Sequence, residues 1–454
     1  MTSIEYDDSI RNTIPPKGFR GFIEELSKSS GVKWVEKDVS SSYEAASVLA
    51  AYDGTPVVFK SVDGIQTRVA GNVYSSRELL AKYFHIDGRQ VTDLMRRSIS
   101  NPKPVSLDSI KRQAAPCNEV SEAEVNIPKQ LPVLRHTRGD GGRYVTSAVF
   151  CASDPEYGLN LSVHRLMVKE QAPRKLGMRI VPRDLLTYLE RAGGEIDVVA
   201  TIGNGLGYLL AAAVTVPKGY DELGIANALE QQEMVLASTV DLPVPSDSEY
   251  VLEGRIYTEP PEKEGPFFDL TLTLDAVREQ PVFEVRKVTH RRDPIYHALL
   301  PGYGEHRTLM GVPREPTIFM EVSKVTRCTG VRLTDGGGGW LHAVVAIHKE
   351  NQDDGVKAIE AAFRGHPSLK HVIVVDDDID PADMGEVEWA LATRFQAGRG
   401  LIVYRDVVGS SLDPSADRAT RKTSKMGLDA TIPLDRRRED FVKWGFDPVD
   451  PSLY

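Results

Sequence analysis

Cysteine is scarce in this chain of 454 residues: Cys117, Cys151 and Cys328 lie far apart and form no CxxC pair. That spacing argues against a disulfide scaffold and a thiolate zinc site, and it suits a reducing cytoplasm. Positive charge is in deficit too, with 55 Lys and Arg against 65 Asp and Glu and a net charge of −10. No general polyanion-binding surface follows from such a balance, so no nucleic-acid partner is expected, although a local basic pocket for a phosphate stays open. Long apolar runs are missing, and the longest, Tyr208 to Val216, is well short of the roughly 20 residues that span a bilayer. The opening MTSIEYDDSIRNTIPPKG is polar and has no signal-peptide core. A soluble, cytoplasmic protein without a membrane partner is expected. Several catalytic signatures are absent as well. The ten histidines include no HExxH, no GxSxG elbow occurs, and GGGG at 336–339 is not followed by GK[ST]. A zinc hydrolase, an α/β-hydrolase and a P-loop are all disfavoured.

What is present is an ordinary globular composition, 41% hydrophobic and 26% charged, over a length that fits two or three domains. Residues 1–115 mix helix-like GFRGFIEELSKSS, SYEAASVLAAY and SRELLAKYFHI with a strand-like TPVVFKSV, the pattern of a small α/β domain. Residues 116–305 are dominated by strand-like pieces, RYVTSAVFCA, LNLSVHRLMV, EIDVVATIG, EYVLEGRIYT, FDLTLTLD and PVFEVRKVTH, and predict a β-rich domain, a barrel with helical insertions. Residues 306–454 return to α/β patterning, with HAVVAIHK, GVKAIEAAFRG and HVIVV. A helix is expected from Pro381 to about Phe395, capped by Asp380. The fold class is therefore α/β (α+β) in three parts.

Two stretches carry the chemistry. In NLSVHR, residues 160–165, alternation puts Asn160, Ser162 and His164 on one strand face, with Arg165 at the strand end. An amide, a hydroxyl and an imidazole on one face can line a ligand or metal site, or can be a plain polar outer face. In EGPFFD, Glu264 and Asp269 flank a Gly-Pro turn and two phenylalanines. This is either a solvated turn or a pair of carboxylates desolvated enough for proton transfer near neutral pH. Asp184 and the pair Asp221 and Glu222 read as first-turn helix charges. DDDID at 376–380 suggests magnesium less than a solvated strand-to-helix turn, and GNGLG at 203–207 is a weak match to a dinucleotide fingerprint.

Taken in order, GRYVTSAVFCASDPEYGLNLSVHR, YDELGIANALE, VPSDSEYVLEGRIYTEPPEKEGPFFD, THRRDPIYHALLPG, HVIVVDDDIDPADMGEVEWALATRF and KMGLDATIP resemble the UbiD family of decarboxylases. The resemblance implies an N-terminal α/β domain, a central split β-barrel that holds prenylated FMN, and a C-terminal α/β oligomerisation domain. It implies a non-oxidative, reversible decarboxylase of an α,β-unsaturated or aromatic acid, assembled as a homodimer or homohexamer and supplied with cofactor by a separate flavin prenyltransferase. The family's catalytic arginine and two acids match Arg165, Glu264 and Asp269, the first acid orienting the arginine and the second donating the proton. The family holds the cofactor's phosphate through Mn2+ or another divalent cation with K+ nearby; Asn160 and Glu222 match two ligand positions. Ser162, Val163, His164, Arg165 and Arg183 match the flavin-facing stretch, and Arg364 and Lys425 are further phosphate-site or lid candidates.

Three departures from the family pattern stand out. Asp184 occupies the position of a metal-binding histidine, LTLTLD replaces a Gly-containing segment after the second acid, and GNGLGYLLAAA replaces an Asp-Pro turn near the flavin. Two outcomes fit: an enzyme with altered substrate choice, or a paralogue that binds cofactor poorly and acts as a non-catalytic partner subunit. NLSVHR, TYLERA and FRGHPSLKHVIVVDDDID most resemble the shorter archaeal-type branch, whose members include an anhydromevalonate phosphate decarboxylase. That implies a phosphorylated enoic acid, with Arg138, Arg143 and His297 as candidate phosphate contacts, and an aromatic acid as the rival.

Overall fold

A computed structural model of the chain describes residues 18–446 and divides into two compact units, Met1–Pro316 and Thr317–Tyr454. Most of the polar opening stretch read above lies outside the described residues. Among those described, no helix is long and apolar enough to cross a membrane.

In the first unit, alternation of apolar and polar residues produces a large antiparallel sheet. Its pairing order is Tyr144–Val145, Leu166–Val168, Lys175–Met178, Arg278–His290, Tyr250–Glu264, Glu195–Ile202, Val149–Asp154 and Gly158–Val163. The pairing has two ends, so the sheet is open and not hydrogen-bonded into a closed barrel. Ile196, Val198, Ala200 and Ile202 fall on one face with Leu252, Ile256, Phe283 and Val285, and all eight enter one core. Helix Asp184–Arg191 buries Leu185, Tyr188 and Leu189 in the same core. So does helix Glu44–Ala51, through Ala45, Ala46 and Leu49, which joins the N-terminal layer to the large sheet. That layer has its own four-stranded sheet, Lys33–Val35, Val57–Phe59, Arg68–Gly71 and Ile295–His297. Its last strand comes from beyond the large sheet, in parallel register with Arg68–Gly71.

The expected strand through LTLTLD does not form. Phe267–Phe268 pairs with Leu274–Asp275 across a tight turn. The Asp269 carboxylate accepts the Leu270 N–H at 2.7 Å, its carbonyl accepts the Leu272 N–H at 2.8 Å, and Leu272 takes the left-handed conformation at φ 62°. Local hydrogen bonding by an aspartate thus overrides the β propensity of alternating Leu and Thr.

The second unit is a mixed five-stranded sheet in the order Arg327–Leu333, His342–His348, His371–Asp376, Lys422–Asp429 and Leu401–Val408. Helix Asp354–Gly365 packs on one face and helix Met384–Thr393 on the other. The latter starts later than the sequence suggests. Asp383, not Asp380, caps it by accepting the Gly385 and Glu386 N–H groups, while Asp380 closes the preceding turn on Ala382. Two aspartates three residues apart have equal capping propensity, and the one followed by free helical amides prevails. DDDID is not an open metal site either, because the buried Arg394 takes Asp376 at 2.9 Å and Asp378 through two bonds of 2.8 and 2.7 Å.

Candidate active site

Strand Tyr250–Glu264 ends at Gly265, whose φ of 98° and closeness to the Ala276 carbonyl leave no room for a side chain. That turn points EGPFFD back across the sheet edge toward Arg165, just after strand Gly158–Val163. Loop 135–143 holds the stretch in place: Gly141 donates to the Pro266 carbonyl at 2.8 Å, and Phe268 donates to the buried Asp140 carboxylate at 2.8 Å.

The structure brings Arg165, Glu264 and Asp269 together. Arg165 Nε and Nη2 donate to the two Glu264 oxygens at 2.9 and 3.1 Å, and Nη1 donates to Asp269. The guanidinium lies over the Phe267 ring, 4.4 Å from its centroid. Glu264 is fully buried, and the three acids around Arg165 overcome burial to hold its charge firmly in place. The third acid is Asp275, which no pattern in the sequence singled out; it accepts from Arg165 Nη2 at 2.9 Å and is paired on its other side with Arg278 at 2.6 Å. Its only signal was an acid closing LTLTLD, and with no glycine at 272 to mark a turn the run reads as strand. His306 was also missed. Its Nδ1 accepts the Gly302 N–H at 3.0 Å, and burial lowers its pKa against the pull of the nearby Asp269 carboxylate.

A second cluster joins Asn160 to Glu222, with Asp184 near enough for its charge to act on Glu222. Asp221 caps helix Glu222–Leu229 through the Gly224 N–H, leaving Glu222 to turn inward. Asn160 Nδ2 donates to both Glu222 oxygens at 3.2 and 3.1 Å, and the Leu161 N–H donates at 2.7 Å. Burial pushes the Glu222 carboxyl up to about 8 despite the Leu161 amide, and the Asp184 charge adds to the rise. Asn160 Oδ1 is buried with no hydrogen-bond partner. Among the described residues no three His, Cys, Asp or Glu side chains are placed to hold a metal ion by themselves. The set is instead two carboxylates and one orphaned amide oxygen, oxygen donors that fit a hard divalent cation.

Ser162 and His164 form a fixed pair. His164 Nδ1 lies 3.0 Å from the Arg179 carbonyl, so it carries the proton, and Nε2 accepts from the Ser162 hydroxyl at 3.0 Å. Burial holds this imidazole neutral, its pKa lowered to about 4. Val163 ends the strand and Arg183 stands at the start of helix Asp184–Arg191, donating to Thr215 Oγ1 at 3.1 Å.

The remaining expectations fare differently. Arg364 and Lys425 belong to the second unit, where Arg364 lies 4.0 Å from Glu321 and Lys425 donates to the Pro367 carbonyl. Arg143 is ion-paired with Glu170 at 2.8 Å. His297 is fully buried on Glu305 at 3.1 Å, so it cannot meet a substrate phosphate. Arg138 is exposed, with its guanidinium 5.3 Å from the Tyr43 ring centroid. GNGLG does turn a strand into helix Leu206–Ala213, but the Glu230 carboxylate takes the Gly207 N–H at 3.1 Å and the Tyr83 hydroxyl takes that of Leu206 at 3.2 Å. The place a dinucleotide phosphate would use is filled by the chain's own groups.

Comparison with known proteins identifies the family. Three domain models match: the 3-octaprenyl-4-hydroxybenzoate carboxy-lyase N-terminal domain over residues 23–98, the Rift-related domain over 108–304 and the C-terminal domain over 307–430. The anhydromevalonate phosphate decarboxylase of Methanothermobacter thermautotrophicus is 39% identical over 91% of this chain and 97% of its own. The UbiD-class enzyme HmfF from Pelotomaculum thermopropionicum in complex with FMN superposes with a TM-score of 0.89 at 36% identity, covering 95% of this chain and 97% of that one. An evolved dimeric form of HmfF in complex with prFMN gives 0.85 at 35% identity, over 96% and 99%. Family models, relatives and fold agree: this chain belongs to the UbiD family of carboxy-lyases.

Proposed function

We propose that the chain is a prenylated-FMN-dependent decarboxylase of an α,β-unsaturated acid, most specifically a phosphorylated enoic acid such as anhydromevalonate phosphate. One observation carries the reading: Arg165 is gripped by Glu264 and Asp269 beside a strand whose Asn160 presents an unpartnered oxygen next to Glu222. The similarity to the archaeal decarboxylase over nearly its whole length supports the substrate class. The complexes of the structural neighbours with FMN and prFMN support the cofactor.

Asn160, Glu222 and Asp184 would hold Mn2+ or another divalent cation, with K+ nearby, against the cofactor's phosphate. Ser162, Val163 and Arg183 would face the flavin, with His164 fixing Ser162. When bound, the prenylated flavin supplies an electron sink for the pair left on carbon as CO2 departs. Arg165 orients the substrate carboxylate, and Glu264 keeps Arg165 in plane. As the bond to CO2 breaks, Asp269 gives its proton to the carbon, so one proton replaces the lost carboxylate. Phe267 and Phe268 exclude water from that transfer. A flavin prenyltransferase is the expected supplier of cofactor and self-association, as dimer or hexamer, the expected assembly.

The test is coexpression with a flavin prenyltransferase, followed by the absorption spectrum, metal content and CO2 release from enoic and aryl acids. A coloured, metal-loaded protein active on a phosphorylated enoic acid supports the reading. A colourless, metal-free protein would leave the partner-subunit alternative, and activity on aryl acids alone would overturn the substrate class.

A further inference from the structure

Arg165 offers its two Nη groups to two different carboxylates, Asp269 on Nη1 and Asp275 on Nη2, while Glu264 takes the Nε edge. The two aspartates stand at either end of one turn, tied by the Asp269 N–H to the Thr273 carbonyl at 3.0 Å and by the pairing of Phe267 with Asp275. Their surroundings differ. Asp275 has a second cation, Arg278, at 2.6 Å and also accepts the Ala276 N–H at 2.8 Å. Asp269 is ion-paired with Arg165, with His306 alongside and its side chain 13% exposed. Burial would push the Asp275 carboxyl up, but Arg165 and Arg278 more than offset that and hold it below the usual carboxylate range.

We propose that Asp275 is a positioning residue, which with Arg278 behind it keeps the Arg165 guanidinium in register while Asp269 gains and loses its proton. The inference rests on the role given to Asp269 above. When Asp269 is neutral its pull on Nη1 weakens, and a guanidinium held by Glu264 alone can pivot about that edge. Asp275 on Nη2 blocks the pivot, because its own charge does not follow the proton cycle. A misplacement of about 1 Å in such a group costs on the order of 100-fold in rate.

Asp275→Asn keeps the shape and removes the charge. In holoenzyme with an unchanged absorption spectrum and melting temperature, kcat should fall about 100-fold with KM within about threefold, and Asp275→Glu should recover part of the loss. Should Asp275→Asn not fold, Arg278→Gln frees Asp275 and should give the same split, less steeply. Independently of activity, crystals of the cofactor-free protein should show Arg165 in one place in the wild type and in Asp269→Asn, and turned about its Glu264 edge in the Asp269→Asn/Asp275→Asn double variant. An Asp275→Asn kcat within threefold of wild type, or an unmoved Arg165 in the double variant, overturns the proposal. If loaded wild type releases no CO2 from any acid, the decarboxylase reading falls, and the crystals still decide whether Asp275 fixes Arg165.

Discussion

Arg394 and Arg165 each gather more than one acid, and the proposed function gives a part in the chemistry to Arg165 alone. Arg394 is fully buried, spreads over Trp389, and is matched by Asp376, Asp378 and the Phe441 carbonyl. Asp376 also accepts the Ile432 N–H at 2.8 Å, and Asp378, a third exposed, has Arg438 3.8 Å away as a second cation. Arg165 has three carboxylates, stays 10% exposed, and holds Asp269 at the mouth of a turn carrying the exposed Leu272 and Leu274. Bonds to Asp376 and Asp378 fix Arg394 as part of a core, whereas Arg165 keeps on Nη1 an acid beside an exposed turn, the arrangement that the proposed proton transfer uses.

The comparison is broken most severely by removing each arginine. Arg165→Ala in the cofactor-loaded protein should lower CO2 release by about a thousandfold or more, and it should also lower the melting temperature because it leaves the fully buried Glu264 unpaired. Arg394→Ala should cost about 3–5 kcal/mol of stability in urea unfolding for the same reason, with the surviving folded protein keeping its turnover. Glu264→Gln keeps the shape of the Arg165 clamp without its charge, and steady-state kinetics should show a loss of about 100-fold, mostly in kcat. Asn160→Ala or Asp184→Ala should lower the bound divalent metal and flavin of purified protein, read by elemental analysis and absorbance, while leaving the Arg165 cluster in place.

The smallest effect concerns Glu230, whose carboxyl burial pushes up to about 7 although Tyr83 and the Gly207 amide bond to it. Its folded pKa lies above the unfolded value near 4.5, so the folded state binds the extra proton between those limits. Stability from this group is present below pH 4.5 and is lost as pH rises toward 7, by at most about 1.4 kcal/mol per pH unit. Glu230→Gln should remove that slope from urea midpoints measured between pH 4.5 and 7.

What the sequence made legible is local. Arg165, Glu264 and Asp269 sit in short motifs, NLSVHR and EGPFFD, whose residue types leave a solvated turn open; the family resemblance pairs them, and the structure brings them within hydrogen-bond reach. The alternation of Glu195–Ile202 and the helical pattern opening at Asp184 survive for the same reason, since each depends on its own neighbours. Asp275 was hidden because its position depends on a left-handed Leu272, a conformation that leucine does not advertise. His297 looked available and is not, because strand Ile295–His297 returns to the N-terminal sheet, a long-range pairing with no local signature. GNGLG, a weak match in the sequence, is closed to a phosphate by a long-range contact too, the Gly207 amide being taken by Glu230, which lies more than twenty residues away in the chain.

The most direct test of the central claim is CO2 release from anhydromevalonate phosphate by protein coexpressed with a flavin prenyltransferase, compared with its Arg165→Ala variant at equal cofactor and metal content. The expected result is turnover by the wild type and about a thousandfold less by the variant. Equal turnover by both, or none by a fully loaded wild type on this or any other enoic or aryl acid, would contradict it.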